Sequence, residues 1–184
     1  MSFPTIPAFV TSFTSSWEEA RIHPALAWLE KFTKAFDSRE SWSGPYSDWH
    51  TDDYTFIKPN GEVTTGGDPA FKASQELYSA FTSSLHEPKW ACAWETPNIW
   101  YVVGEATVYG DFPDTGTERK RFLDRTGRTW DIRLHGMFQF EFVKEKDTIH
   151  DGMKLKRLQV YCDTNPLVME MLKKGMIKAD DISK

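Results

Sequence analysis

Cysteine is scarce in this chain: two residues, Cys92 and Cys162, among 184. Both stand in apolar, strand-like runs without metal-type spacing, which reads as buried free thiols in a reducing compartment. No stretch of about eighteen apolar residues occurs, so nothing is expected to span a membrane. The opening MSFPTIPAFVTSF lacks a basic n-region and a continuous apolar h-region, so it does not read as a secretory signal. The expectation is a cytoplasmic protein. Basic excess is missing too. A net charge of −5 argues against a nucleic-acid surface, which needs surplus Lys and Arg to replace counterions. Phosphate loop, dinucleotide fingerprint and nucleophile elbow are all absent. The five histidines show neither H-x-H nor H-E-x-x-H spacing, so no metal site is expected.

Aromatic residues are abundant, with eight Trp and thirteen Phe. Such side chains fill cores, and they also line pockets for large apolar ligands. No linker, repeat or low-complexity tract divides residues 1–184, which suits one domain with a core over about 16–175.

The order of elements gives the fold class. A helix is expected within 16–37, with Ser16 and Glu19 as a capping box and a restart at His23-Pro24. Ala25, Trp28, Leu29, Phe32, Ala35 and Phe36 fall on one of its faces. A strand over 54–58 ends at the Pro59-Asn60-Gly61 turn. A second helix is capped by Asp68, buries Phe71, Leu77, Tyr78, Phe81 and Leu85, and stops at Glu87-Pro88. Antiparallel strands follow at about 89–95, 99–112, 118–124, 128–143 and 153–163. Turns are expected at Asp124–Arg128 and Asp147–Gly152, and a last helix runs from Asn165-Pro166 to Gly175. Helices followed by long strands make an α+β pattern: a curved mixed or antiparallel sheet wrapped around N-terminal helices, with a hollow at its wide end.

Two motifs carry a resemblance. One is Thr126-Gly127-Arg128 with the long strand ending Phe138-Gln139-Phe140-Glu141-Phe142. The other is Leu155 to Asp163, followed by a Pro-Leu helix start. Together with the element order they resemble the SnoaL-like branch of the cone-shaped α+β superfamily, which includes nuclear transport factor 2, ketosteroid isomerase and scytalone dehydratase. The resemblance implies an α+β barrel, or cone, with one deep pocket and chemistry without a metal or organic cofactor. A homodimer through the outer sheet face is implied as well. It also implies carboxylate bases that this chain lacks: Lys58 stands in the isomerase seat before the turn, and Val160 in the cyclase seat on the last strand.

A general acid or base needs a titratable group in a desolvated pocket. Asp131, Arg133 and His135 share one face of the 128–143 strand, and Phe138, Phe140 and Phe142 share the other. Which face lines the pocket stays open, because a bulge near Gly136 would exchange them. Candidate catalytic residues are His135, Asp131, Tyr109, Arg39 and Lys58. Candidate substrate contacts are Trp28, Phe32, Tyr46, Trp49, His50, Phe138, Phe140, Leu158 and Val160. His86 is adequately explained by charge near a helix C-terminus. The basic run Arg119-Lys120-Arg121, with Arg125 and Arg128, reads as a solvated arm or as a seat for a carboxylate or phosphate. Two functions compete. One is an acid/base isomerase, cyclase or dehydratase for a bulky apolar intermediate of secondary metabolism. The other is a non-catalytic binding or scaffold module.

Overall fold

The computed structural model describes residues 6–14, 16–113, 121–146 and 148–182. Residues 118–120 of one expected strand, with Arg119 and Lys120, and Asp147 at the head of the second turn lie outside them. In chain order the strands are β1 (Ala8–Ser12), β2 (His50–Ile57), β3 (Val63–Thr65), β4 (Ser83–Glu95), β5 (Ile99–Asp111), β6 (Phe122–Leu123), β7 (Thr129–Trp130), β8 (Ile132–Lys144) and β9 (Met153–Cys162). The helices are α1 (Pro24–Asp37), α2 (Glu40–Ser43), α3 (Gly67–Glu76), α4 (Asn165–Lys173) and α5 (Ala179–Ile182). Seven strands form one mixed sheet in the order β1-β4-β5-β8-β9-β2-β3. Only the β2–β9 pairing is parallel among them. The sheet is not closed into a barrel.

The apolar stripe read from the sequence is the face of α1 that packs into the sheet. Ala25, Trp28, Leu29, Phe32, Ala35 and Phe36 are all buried. Proline suits the first helical turn because its missing N–H has no partner there anyway. Pro24 accordingly opens α1, after a short 3-10 turn over Glu18–Ile22. The capping box does not form: Ser16 Oγ accepts from the Glu18 amide at 3.2 Å, ahead of that 3-10 turn. The second helix is shorter than expected. It starts after Gly66, whose φ of 97° only glycine tolerates well, and it ends at Glu76. Asp68 therefore lies in its first turn, paired with Lys72, and is not its cap. Phe81 follows the helix and Leu85 lies in β4, because Ser83–Glu95 pairs along nearly the whole of β5.

Pro88 is tolerated within β4 because β1 reaches only as far as Trp90, leaving the Pro88 stretch as an edge. Immediately after it the ladder slips: Pro88 faces Ala106 but Trp90 faces Glu105, so Lys89 is a bulge. The slip reverses which residues point inward. His86 and Pro88 line the interior before it, and the buried Ala91 and Ala93 do so after it. Gly104 is the matching residue on β5, since a Cβ there would come within 2.6 Å of the Trp90 carbonyl oxygen.

Outside the sheet, the Asp124–Arg128 turn forms as expected, with Gly127 at φ 87°. Each described arginine around it, half-exposed Arg121 and Arg128 and the less exposed Arg125, meets a buried carboxylate. Arg121 pairs with Glu170 at 2.9 Å, Arg125 with Glu87 at 2.9 Å, and Arg128 with Asp111 at 2.8 Å. They fasten the β6–β7 hairpin over the outer face of β5. The last helix also matches: Pro166 sits in its first turn, and Gly175 at φ 68° follows its end.

The bulge gives a test. Gly104→Ala is expected to cost about 1–3 kcal/mol of stability, because the clash is with backbone that cannot turn away. Urea unfolding of wild type and variant measures it, and an unchanged midpoint would contradict the close approach.

Candidate active site

Between α1 and the concave face lies a cavity of about 80 Å³. Its walls are largely aromatic and aliphatic: Leu29, Phe32 and Phe36 from α1, Phe138 and Phe140 from β8, Leu158 and Val160 from β9. No lysine or arginine is among the described residues that line it.

The polar members of the lining are Thr33, Ser74, Tyr78, Glu105, whose Oε2 accepts the Trp90 Nε1–H at 3.1 Å, and His86. Asp37, the last residue of α1, brackets it with both carboxylate oxygens. Oδ2 accepts from the His86 backbone N–H at 2.8 Å, and Oδ1 lies 2.7 Å from Nδ1. In the neutral ring, Nδ1–H donates to Asp37 and Nε2 is the acceptor. Tyr78, in the turn after α3, places its hydroxyl 2.8 Å from that Nε2. Burial pushes the Tyr78 phenol well above its ordinary pKa, so it stays protonated and donates. The His86 and Asp37 side chains are 13% and 12% exposed. Phe36 and Phe138 meet the imidazole edge-on at 6.1 and 5.7 Å. The result is a desolvated line of groups, carboxylate, imidazole and phenol, facing an apolar hollow. Such an arrangement can take a proton from carbon.

The sequence candidates fall elsewhere or around this line. Of the expected substrate contacts, Phe32, Phe138, Phe140, Leu158 and Val160 line the cavity. Trp28 and Trp49 are buried behind it, with Trp28 Nε1–H donating to the Met153 carbonyl at 3.1 Å. Tyr46 hydrogen-bonds Asp52 outside the cavity. His50 is fully buried against Phe32, Tyr54 and Phe71 and is not part of the lining.

The expected catalytic residues are not brought together. Inward phenylalanines fix the parity of β8 without a bulge at Gly136, so His135 and Arg133 project from the outer face. Asp131 accepts the Phe112 amide at 2.9 Å where β7 gives way to β8. Tyr109 donates to the Leu123 carbonyl at 3.2 Å under the hairpin. Arg39 donates to the Phe81 carbonyl and stacks on Trp42, bracing the turn after α1. Lys58 pairs with Glu62 at 3.1 Å. Asp37, His86 and Tyr78 are not among the residues the sequence singles out for the site. Among the described residues no group of three His, Cys, Asp or Glu side chains could hold a metal ion.

Neither a family model nor a curated protein sequence matches the chain. Solved structures do. A protein described as a dehydratase of the nuclear transport factor 2-like family from Streptomyces avermitilis has a TM-score of 0.59 at 11% identity, over 79% of this chain and 97% of that one. The hexachlorocyclohexane dehydrochlorinase LinA-type3 from Novosphingobium barchaimii has a TM-score of 0.54 at 10% identity, over 79% and 88%. The CaMKII hub of S. rosetta has 0.52 at 15% identity, over 76% and 95%. The fold is the nuclear transport factor 2-like cone. That agrees with the resemblance read from the two strand motifs. No helix of the described residues is long and apolar enough to cross a membrane.

Buried His50 makes stability depend on pH. Its Nδ1–H donates to the Tyr46 carbonyl at 3.2 Å and Nε2 has no hydrogen-bond partner. Burial lowers its pKa to about 3 from an ordinary 6.5. Between those values the unfolded chain binds the extra proton. Stability is therefore intact above about pH 6.5 and falls by up to about 1.4 kcal/mol per pH unit below it. Urea midpoints between pH 7 and 4 should show this slope, and His50→Phe should flatten it; a slope unchanged by the substitution counts against the assignment.

Proposed function

We propose that the protein is a lyase that eliminates a leaving group from an apolar substrate, with His86 as the base. The observation that carries this reading is the Asp37–His86–Tyr78 line opening onto the cavity. Asp37 holds the tautomer and would stabilise the imidazolium that forms. Nε2 takes a proton from a substrate carbon. The C–H electrons form the new double bond, and the leaving group departs from the adjacent carbon with its own bonding pair. If that group is hydroxide, the proton on Nε2 is available to release it as water.

A local conflict supports the assignment. A carboxylate at a helix C-terminus meets the negative end of the helix dipole, so Asp37 lies where its charge is disfavoured. Breaking a local rule is common where function demands the residue. The structural neighbours support the reaction class, since a dehydrochlorinase and a protein described as a dehydratase share the cone. Convergent His86, Tyr78 and Glu105 among apolar rings support the enzyme reading, and a cavity of about 80 Å³ limits the part of the substrate held there to a small reacting group.

The test is product formation from small chlorinated cyclohexanes and β-hydroxy ketones, followed by mass spectrometry and halide release. Wild type should form the alkene. His86→Gln and Asp37→Asn should each lose about 10²–10⁴-fold in kcat/KM with circular dichroism unchanged. Undiminished turnover in His86→Gln would remove His86 as the base.

A further inference from the structure

A second, smaller cavity of about 30 Å³ lies beyond the first, toward α4. Leu77, Phe81, Leu134 and Leu167 contribute to its lining, which includes no charged side chain. Tyr78, Phe138 and Val160 line both chambers and form the wall between them.

These three walls are not equally fixed. Val160 is held in β9, paired with Phe138 of β8. Phe138 is stacked on Phe140 with centroids 6.2 Å apart, and it crowds Gly136, where even a Cβ would come within 3.1 Å of its ring. Tyr78 belongs to neither helix nor strand; it sits in the turn between α3 and β4, with its buried ring held by contacts with Phe36 and Phe81 rather than by sheet pairing. The same residue donates to Nε2 of His86, the atom that would take the proton. A neutral imidazole Nε2 has one lone pair, so the phenol and a substrate C–H compete for it.

We propose that Tyr78 is a latch opened by the substrate, and that the substrate has a reacting head joined to an unbranched apolar chain. The chain passes between the chambers, displaces the Tyr78 ring and occupies the space beneath α4. Nε2 is thereby freed while the head lies beside it. Magnitudes favour opening for a chain of sufficient length. Losing one neutral hydrogen bond weakens binding by about tenfold, and each methylene buried restores about fourfold. Displacing the ring also breaks its contacts with Phe36 and Phe81, so about four methylenes, spread over the second chamber and the space the ring leaves, outweigh the latch. This reading rests on His86 as the base, and it adds substrate length and the control of that base.

The experiment measures binding, so it stands apart from the elimination assay. Primary alkanols from butanol to decanol serve as probes, with affinity from titration and the His86 Nε2 resonance from nitrogen-15 spectra. Affinity should rise by about fourfold per methylene for the longer members, with the Nε2 resonance and the Leu167 amide moving together in those complexes only. Leu167→Trp fills the second chamber from α4 and should hold decanol to the affinity of the short alkanols. Tyr78→Phe removes the latch, so Nε2 should already be shifted in the free variant and decanol should bind about tenfold more tightly. A length series that levels off without a response at Leu167, or decanol affinity indifferent to Tyr78→Phe, would overturn the proposal. Neither result bears on whether His86→Gln abolishes alkene formation, so the two readings fail separately.

Discussion

The bracket between Asp37 and His86 joins the two layers of the molecule at the rim of its cavity. It ties the C-terminal end of α1 to β4 at a distance of 49 residues along the chain, through one backbone and one side-chain contact. Apolar packing alone would let a helix slide over a concave sheet, because burial is non-directional. Two short hydrogen bonds to one carboxylate fix where that helix ends. The cavity walls from Leu29, Phe32 and Phe36 then take their places relative to β8 and β9. Because the donors are a main-chain amide and a ring nitrogen, the interaction that sets the geometry also sets the tautomer of the imidazole.

Sheet parity decides which residues can use that geometry. Side chains alternate along a strand, so one slip of register exchanges the inner and outer sets. β4 contains such a slip at Lys89, and β9 contains another, since Glu141 faces Arg157 while Phe142 faces Leu155. The slip in β4 lets His86 and Ala91 face the same interior. Beyond the slip in β9, Leu158 and Val160 face the cavity, while Arg157 and Tyr161 are directed away. Strand β8 has no slip of its own against β5, and its phenylalanines decide its inner face without ambiguity.

Much of this was legible in the residues. The helical stripe from Ala25 to Phe36 has a strong period, and each of its members is buried. The Phe138, Phe140 and Phe142 alternation likewise states which face of β8 is apolar. The helix after Gly66 is shorter than its sequence suggests, because Phe71, Leu77, Tyr78, Phe81 and Leu85 mimic a helical spacing beyond its end at Glu76. Pairing of Ser83–Glu95 with β5 overrode that local pattern. The error placed His86 at a helix end, where its charge had an adequate explanation, and hid it from the site. Asp37 was invisible for a different reason. Nothing in the sequence near it announces a partner 49 residues away, since that meeting depends on how α1 crosses the sheet.

The composition of the cavity constrains its chemistry further, if His86 is the base. Proton abstraction builds negative charge on the substrate and positive charge on the imidazole. Asp37 answers the positive charge directly. No lysine or arginine among the described lining residues answers the negative one. In a low-dielectric hollow an uncompensated anion is costly. A reaction that accumulates an enolate has to rely on neutral donors such as Tyr78 to hold it. An elimination fares better, because the electrons pass through to the leaving group and the charge departs with it or is quenched by the proton on Nε2. Under the proposed reading, the Tyr78 phenol released from Nε2 is the neutral donor placed to meet the departing group.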